Sequence, residues 1–415
     1  MMYKAPRGTH DIFAKEAAAL NFLEQKAKEI FRIRGFEEII TPIFEDAALF
    51  TRSIGQSTDI VEKEMYIFND RKGRTLALRP EGTASLVRAF VEHSLQDSFP
   101  AKKFFYCGEM FRYERPQAGR YRQFRQIGAE FIGNALPCAD AETIIVAHDI
   151  LNSIGISSMK IHINSLGCDN CRPIFRESLV NYFSSQKDLC QDCLRRLNKN
   201  PLRLLDCKID SSKFADVPKM ECFLCSECKE HFVNLQSLLS SAKCNYTINS
   251  KLVRGLDYYN RTVFEIRSDA VGSQDAIAAG GRYDNLVKEL GGSNTCAVGF
   301  ALGCERVCLA AKNAGFFDNL ISAEKIFIAV ADGELFNKAF SFSIELGRSS
   351  LKNDNTLSVI GPIPAKNLTH QLKFADKIDA DRVIIFAKNE FDEGKLLVKD
   401  MKNKTQRVVD VEHFF

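Results

Sequence analysis

One arginine-dense hairpin constrains this chain more than any other stretch. Residues 104–130 read FFYCGEMFRYERPQAGRYRQFRQIGAE, with Arg112, Arg115, Arg120, Arg122 and Arg125 set among aromatics, glutamines and glycines. Phe104, Phe105 and Tyr106 open a strand, Pro116-Gln117-Ala118-Gly119 makes a turn, and residues 121–130 return as a strand with polar residues on one face. Guanidinium groups bind phosphate in pairs and stack on rings, so Arg112, Arg120 and Arg125 beside Phe111, Tyr121 and Phe124 suit a bound nucleotide. Glu114 and Glu130 among them indicate a pocket with both signs of charge rather than a solvated hairpin.

A chain of 415 residues is too long for one compact core, so two or three domains are expected. Lys+Arg number 56 against Asp+Glu 53, a formal net charge of +3, which excludes wholesale coating of nucleic acid and leaves local basic surfaces. No apolar run approaches the roughly 18 residues that span a bilayer, and residues 1–11 lack the apolar segment of a signal peptide. A cytoplasmic protein without membrane contact is expected, and its fourteen cysteines read as reduced thiols or metal ligands.

Residues 17–34 form an amphipathic helix with Leu20, Leu23, Ala27, Ile30 and Phe31 on one face, ending at Gly35. Residues 37–44, EEIITPIF, read as a long strand in which Pro42 marks an edge or interface. A strand and turn at 76–83, a helix at 84–94, the hairpin, a helix near 141–154 and a strand near 160–164 follow. From 167 to 245 the chain becomes cysteine-rich and mainly helical, interrupting a domain that resumes with strand-like alternation at 252–267. Residues 278–283 make a glycine turn, and 297–311 pass from strand to helix. From 324 onward strands and helices alternate as in a small α/β domain.

Within the insertion, Cys168, Cys171, Cys190 and Cys193 give C-x2-C-x18-C-x2-C, a spacing suited to tetrahedral zinc, and Cys207, Cys222, Cys225 and Cys228 offer a second set. The alternative is a reduced cluster packed as small apolar groups.

The strand ending at Pro42, the FRYERPQAGRYRQF hairpin and the run Gly299-Phe300-Ala301-Leu302-Gly303-Cys304-Glu305-Arg306 resemble the three signature motifs of class II aminoacyl-tRNA synthetases. Leu78-Arg79-Pro80-Glu81-Gly82-Thr83, Arg254-Gly255-Leu256-Asp257-Tyr258-Tyr259 and Gly280-Gly281-Arg282-Tyr283-Asp284 resemble the histidine-specific members of that class. The resemblance covers nearly the whole chain. It implies an α+β catalytic domain at 1–320, with an antiparallel sheet flanked by helices, interrupted by the helical Cys-rich insertion at 167–245. It also implies an α/β anticodon-binding domain at 324–415, whose usual pattern is altered around 353–365.

The activity so implied is ATP-dependent activation of histidine to histidyl-adenylate, followed by transfer to the 3′ end of histidine tRNA, in a homodimer formed through the first helix and the Pro42 strand. Arg112 and Arg254 would flank the α-phosphate as the catalytic cations, Arg306 would hold the γ-phosphate, Glu114 would read the adenine amino group and Phe124 would stack on its ring. Magnesium would bridge the phosphates. Glu81, Thr83, Gln126 and Glu130 would hold the amino acid, Tyr258 and Tyr259 would close the imidazole pocket, and Arg115, Gln117 and Arg120 would face the tRNA acceptor end. Two other readings share much of this sequence: a histidine-sensing regulatory subunit of ATP phosphoribosyltransferase, and a tRNA-binding module without catalysis.

Overall fold

The computed structural model describes the chain except residues 1–2, 56–57, 59, 96–100, 208, 215, 273–274, 320–323, 353–356, 365–366 and 415. It divides into two compact units, Met1–Asp318 and Asn319–Phe415. Among the described residues, no helix is long and apolar enough to cross a membrane.

The first unit is organised by an eight-stranded sheet. In chain order its strands are β1 (Glu37–Glu38), β2 (Lys102–Phe111), β3 (Gln123–Ile132), β4 (Met159–Ser165), β5 (Tyr246–Ile248), β6 (Asn260–Ser268), β7 (Ala276–Arg282) and β8 (Ala297–Gly303). Their spatial order is β1-β2-β3-β8-β7-β6-β4-β5. Only the two edge pairings, β1 with β2 and β4 with β5, are parallel. The rest of the ladder is antiparallel, as the hairpin requires.

Strand alternation sorts the hairpin's side chains between two layers. Phe105, Ile127 and Ala129 face the layer formed by α1 (Ala14–Ile33), α2 (Pro137–Ser153) and the last helix of this unit, α3 (Cys304–Asn313). In α1 the buried stripe is Ala19, Leu20, Leu23, Ala27 and Phe31, with Phe31 stacked on Phe105 at 4.6 Å. Phe104 and Tyr106 face the opposite layer, which also contains Tyr258, Tyr283 and the insertion's Phe175, Phe183 and Phe214. Arg125 follows the same alternation: it lies on the helix side, in ion pairs with Glu24 at 3.0 Å and Glu109 at 3.2 Å, and not among the nucleotide-facing arginines.

Three expectations need correction. The long strand expected at 37–44 is broken: Glu37–Glu38 pairs with β2, whereas Phe44–Asp46 joins a separate three-stranded sheet with Thr75–Leu78 and Ile67–Asn69. Pro42 has no N–H for a ladder, and the buried Arg79 guanidinium binds the Thr41 carbonyl at 2.9 Å and the Glu109 carbonyl at 2.8 Å, occupying the intervening backbone. The expected glycine turn at 278–283 is instead the interior of β7. Gly280 and Gly281 are needed for close packing, since added Cβ atoms would come within 2.1 Å of the Gly299 carbonyl oxygen and 2.5 Å of the Thr262 carbonyl oxygen. The alternation at 252–267 is also strand only from Asn260 onward.

A buried cation fastens the layers together. Arg282, fully inaccessible, donates Nε to Asp140 Oδ2 at 3.1 Å and Nη1 to the Asn134 carbonyl at 3.0 Å. His231 approaches the same carboxylate at 3.4 Å from a helix of the insertion. Burial alone would raise the Asp140 carboxyl, but Arg282 and His231 hold it down at about 2.

In the second unit, Glu324–Val330 lies between Leu357–Ile360 and Arg382–Phe386 as a parallel trio, extended antiparallel by Lys395–Asp400 and Gln406–Asp410. Helices Phe336–Lys352 and Leu368–Lys377 complete the expected α/β pattern. Residues 353–356 and 365, part of the stretch where the family pattern is altered, lie outside the described residues.

Candidate active site

A cavity of about 310 Å³ opens over β3, β7 and β8, lined by Arg112, Glu114, Arg120, Phe124, Gln126, Arg254, Glu265, Glu305 and Arg306 among others. The hairpin supplies the first five and the loop preceding β6 supplies Arg254. Arg306 comes from the first turn of α3. Arg112 is tethered by Nε to the Pro80 carbonyl at 2.8 Å, and its guanidinium carbon stands 5.3 Å from the Phe124 ring centroid. Glu114 sits between two cations, 3.7 Å from Arg112 and 3.3 Å from Arg120. Arg254 Nη1 meets Glu265 at 3.1 Å, while its buried Nε has no hydrogen-bond partner among the described residues. Burial, followed by the nearby Arg120, lowers the pKa of Arg306. Glu305 serves the fold: its carboxylate accepts the Arg125 N–H at 2.8 Å, and burial pushes it up to about 7.

Behind Gln126 the site changes character. Glu130 is 1% exposed and Glu81 is 3% exposed. Glu81 accepts the N–H groups of Thr83 at 2.7 Å and Ala84 at 2.8 Å, capping the helix Thr83–Glu92. Thr83 Oγ1 donates to Glu130 Oε1 at 2.7 Å, and the Tyr283 hydroxyl donates to Glu130 Oε2 at 2.5 Å. Tyr106 donates to Gln126 Oε1 at 3.3 Å, and Tyr258 lies 4.6 Å from Tyr259 and 5.5 Å from Tyr283 between ring centroids. Burial raises Glu81, and burial with the neighbouring Glu81 charge brings Glu130 to about 8 despite its two hydrogen bonds. The geometry is that of a buried acidic cluster walled by tyrosines.

Thus Arg112, Glu114, Arg120, Phe124, Gln126, Arg254 and Arg306 surround one cavity, and Glu81, Thr83, Glu130, Tyr258 and Tyr259 form a buried cluster behind it. Arg115 and Gln117 do not line the cavity; both are exposed on the hairpin turn, where Gly119 takes φ +70° against Arg306. Sequence reasoning missed Arg79, Tyr106, Tyr283 and Glu265. Gln126 and Glu130 were found through the family resemblance, whereas Tyr106 lay in the apolar strand opening of the same hairpin. Close approaches of the Tyr106 ring to Gly82 and Gly128 follow only from the tertiary structure.

The expected quartet of Cys168, Cys171, Cys190 and Cys193 is not one site. Cys168 and Cys171 converge with Cys225 and Cys228, and Cys190 and Cys193 converge with Cys207 and Asp210. The helices that follow the first two C-x2-C turns carry them to different partners, and Cys222 stays exposed outside both groups. Each group brings its ligand atoms within 4.8 Å of one another and could hold a metal.

A family model described as histidyl-tRNA synthetase matches residues 8–307. A histidine–tRNA ligase from Endomicrobium trichonymphae is 66% identical over 414 residues, covering 100% of both chains. One from Aquifex aeolicus (strain VF5) is 46% identical and covers 99% of both. The apo S. aureus histidyl-tRNA synthetase structure superposes with a TM-score of 0.82 at 32% identity, covering 100% of both chains. By the family model over residues 8–307 and by relatives matched along the full length, the chain belongs to the histidyl-tRNA synthetase family.

Proposed function

We propose that the protein activates histidine with ATP and transfers it to the 3′ end of histidine tRNA. The carrying observation is the junction at Gln126, where a cavity ringed by Arg112, Arg254 and Arg306 meets the buried acidic cluster of Glu81 and Glu130. Adenylation brings a carboxylate to the α-phosphorus, two anions that repel until cations stand beside them. Arg112 and Arg254 flank that phosphate, Arg306 takes the γ-phosphate, Glu114 receives the adenine amino group and Phe124 stacks on the ring. The unpartnered Nε of Arg254 supports this reading, since a phosphate oxygen supplies its missing acceptor.

Glu81, Thr83, Gln126 and Glu130 bind the amino acid, with Tyr258 and Tyr259 against the imidazole. A pocket built to pair polar ring atoms rejects apolar analogues by leaving buried groups unsatisfied. With Glu114 given to the adenine, Glu265 is the cavity carboxylate that would hold magnesium as a hard oxygen donor, and the ion would neutralise phosphate charge. Arg115, Gln117 and Arg120 present the hairpin turn to the tRNA acceptor end, and the second unit reads the anticodon. The thiol-rich insertion suits structural zinc.

The reading includes a cytoplasmic homodimer formed through α1 and the Pro42 segment, beside which Ile40 and Phe44 are 84% and 53% exposed. Light scattering that finds only active monomer overturns that assembly. A histidine-sensing regulatory subunit would not need Arg112, Arg254 and Arg306 assembled around one cavity. Charging of a histidine tRNA transcript tests the function: accumulation of histidyl-tRNA is expected, and histidine binding without charging would favour the sensor.

A further inference from the structure

We infer that the insertion holds two zinc ions, one on Cys168, Cys171, Cys225 and Cys228 and one on Cys190, Cys193, Cys207 and Asp210, which together brace the loop at residues 254–259. This deepens the metal reading above by dividing the ligands and assigning the ions a task.

The sulfur spacings carry the first half. Cys168 Sγ lies 3.6 Å from Cys171 Sγ and 3.9 Å from Cys225 Sγ, and Cys190 Sγ lies 3.7 Å from Cys207 Sγ. A tetrahedral ion with bonds of about 2.3 Å places its sulfurs about 3.8 Å apart, whereas a disulfide holds them at about 2.05 Å. Peptide N–H groups point at the same sulfurs, from Cys225 to Cys171 at 3.2 Å and from Asp210 to Cys207 at 3.4 Å. Cys171 opens one helix, while Cys190 and Cys225 immediately precede two others, so the thiolates stand where helix dipoles favour negative charge. Three thiolates and a carboxylate form an acceptable zinc set, with Asp210 held in place by the Cys190 N–H at 2.8 Å.

The second half rests on what adjoins each cluster. Residues 254–259 form no helix or strand. Arg172, next to Cys171, donates Nη1 to the Tyr259 carbonyl at 3.2 Å, and Gly167, next to Cys168, accepts the Arg261 N–H at 2.9 Å. Between Cys193 and Cys207, Asn200 donates to Asp257 at 2.9 Å and Arg203 donates to the Gly255 carbonyl at 3.0 Å. One cluster thereby steadies the end of the loop at Tyr259, and the other steadies the end nearer Arg254.

Elemental analysis of full-length protein, made in zinc-supplied cells and purified without chelator or a metal column, is expected to give about two zincs per chain. Cys228→Ser and Asp210→Ala should each lose about one, leaving the other site filled. Iron in place of zinc, or a wild-type content near zero, overturns the assignment. For the bracing role, Arg172→Ala combined with Arg203→Ala should retain both zincs while amide exchange over 254–259 rises about tenfold. Unchanged loop exchange in that variant overturns the brace, even if metal removal unfolds the insertion. A rise in histidine KM of about tenfold is also expected, and this part alone depends on the proposed function.

Discussion

Along β3, Phe124 faces an open cavity ringed by arginines, whereas Glu130 is sealed among tyrosines with its carboxyl raised to about 8. The cationic side keeps its charges partly solvated and countered, with Glu114 between Arg112 and Arg120 and Glu265 between Arg254 and Arg267. An arriving triphosphate can exchange these partners without exposing a bare buried charge. The acidic side has no cation beside Glu130 among its hydrogen-bond partners, which are Thr83 and Tyr283. Burial holds this carboxyl up at about 8 while both its oxygens accept hydrogen bonds, so a cationic group arriving there would favour its charged form. The difference teaches that one strand can present surroundings of opposite charge when one end is wet and paired and the other dry and acidic.

Breaking the cationic side should have the largest effect. Arg254→Ala is expected to slow single-turnover adenylation about a hundredfold to a thousandfold, with tRNA affinity within about twofold. An unchanged adenylation rate would remove Arg254 from the transition state. Breaking the acidic side should show in binding instead: Glu130→Gln is expected to raise histidine KM about thirtyfold to a hundredfold while ATP KM stays within about twofold.

The same carboxyl gives a pH signature. Because burial raises Glu130 from its usual 4.5 to about 8, its contribution is zero well below pH 4.5, grows more destabilising between about 4.5 and 8, and levels off above 8. The ligand-free protein should therefore lose part of its thermal stability between about pH 5 and 8, and Glu130→Gln should flatten that decline. Histidine binding at pH 7 should release protons, seen as calorimetric heats that depend on the buffer's ionisation enthalpy. No such dependence would mean that Glu130 is already ionised. Smaller still, Gly128→Ala should destabilise the fold by about 1–3 kcal/mol in denaturant unfolding, because its Cβ would meet the Tyr106 ring at 2.4 Å. Arg115→Ala, on the exposed turn, should lower tRNA charging by less than about threefold and leave adenylation intact.

The motif segments were legible because each packs its chemistry into a few adjacent residues: the hairpin announced both its turn and its mixed charge, and the run ending at Arg306 announced a strand entering a helix. Residues whose roles depend on distant partners were not. Arg79 looked like part of a loop motif, yet it spans from Thr41 to Glu109, and Arg282 needs Asp140, distant in sequence, to explain a buried guanidinium. Spacing alone joined the wrong cysteines, since a C-x2-C turn records which two sulfurs are neighbours but not which other turn the fold brings to them. Gly280 and Gly281 read as a turn because glycine frees the backbone, when the operative property was the space left by a missing Cβ.

The pairing of a cationic nucleotide cavity with an acidic amino-acid pocket is tested most directly by ATP–pyrophosphate exchange measured with each of the amino acids in turn. Exchange that depends on histidine alone is the predicted result; stimulation by a different amino acid, or no exchange with any, contradicts it.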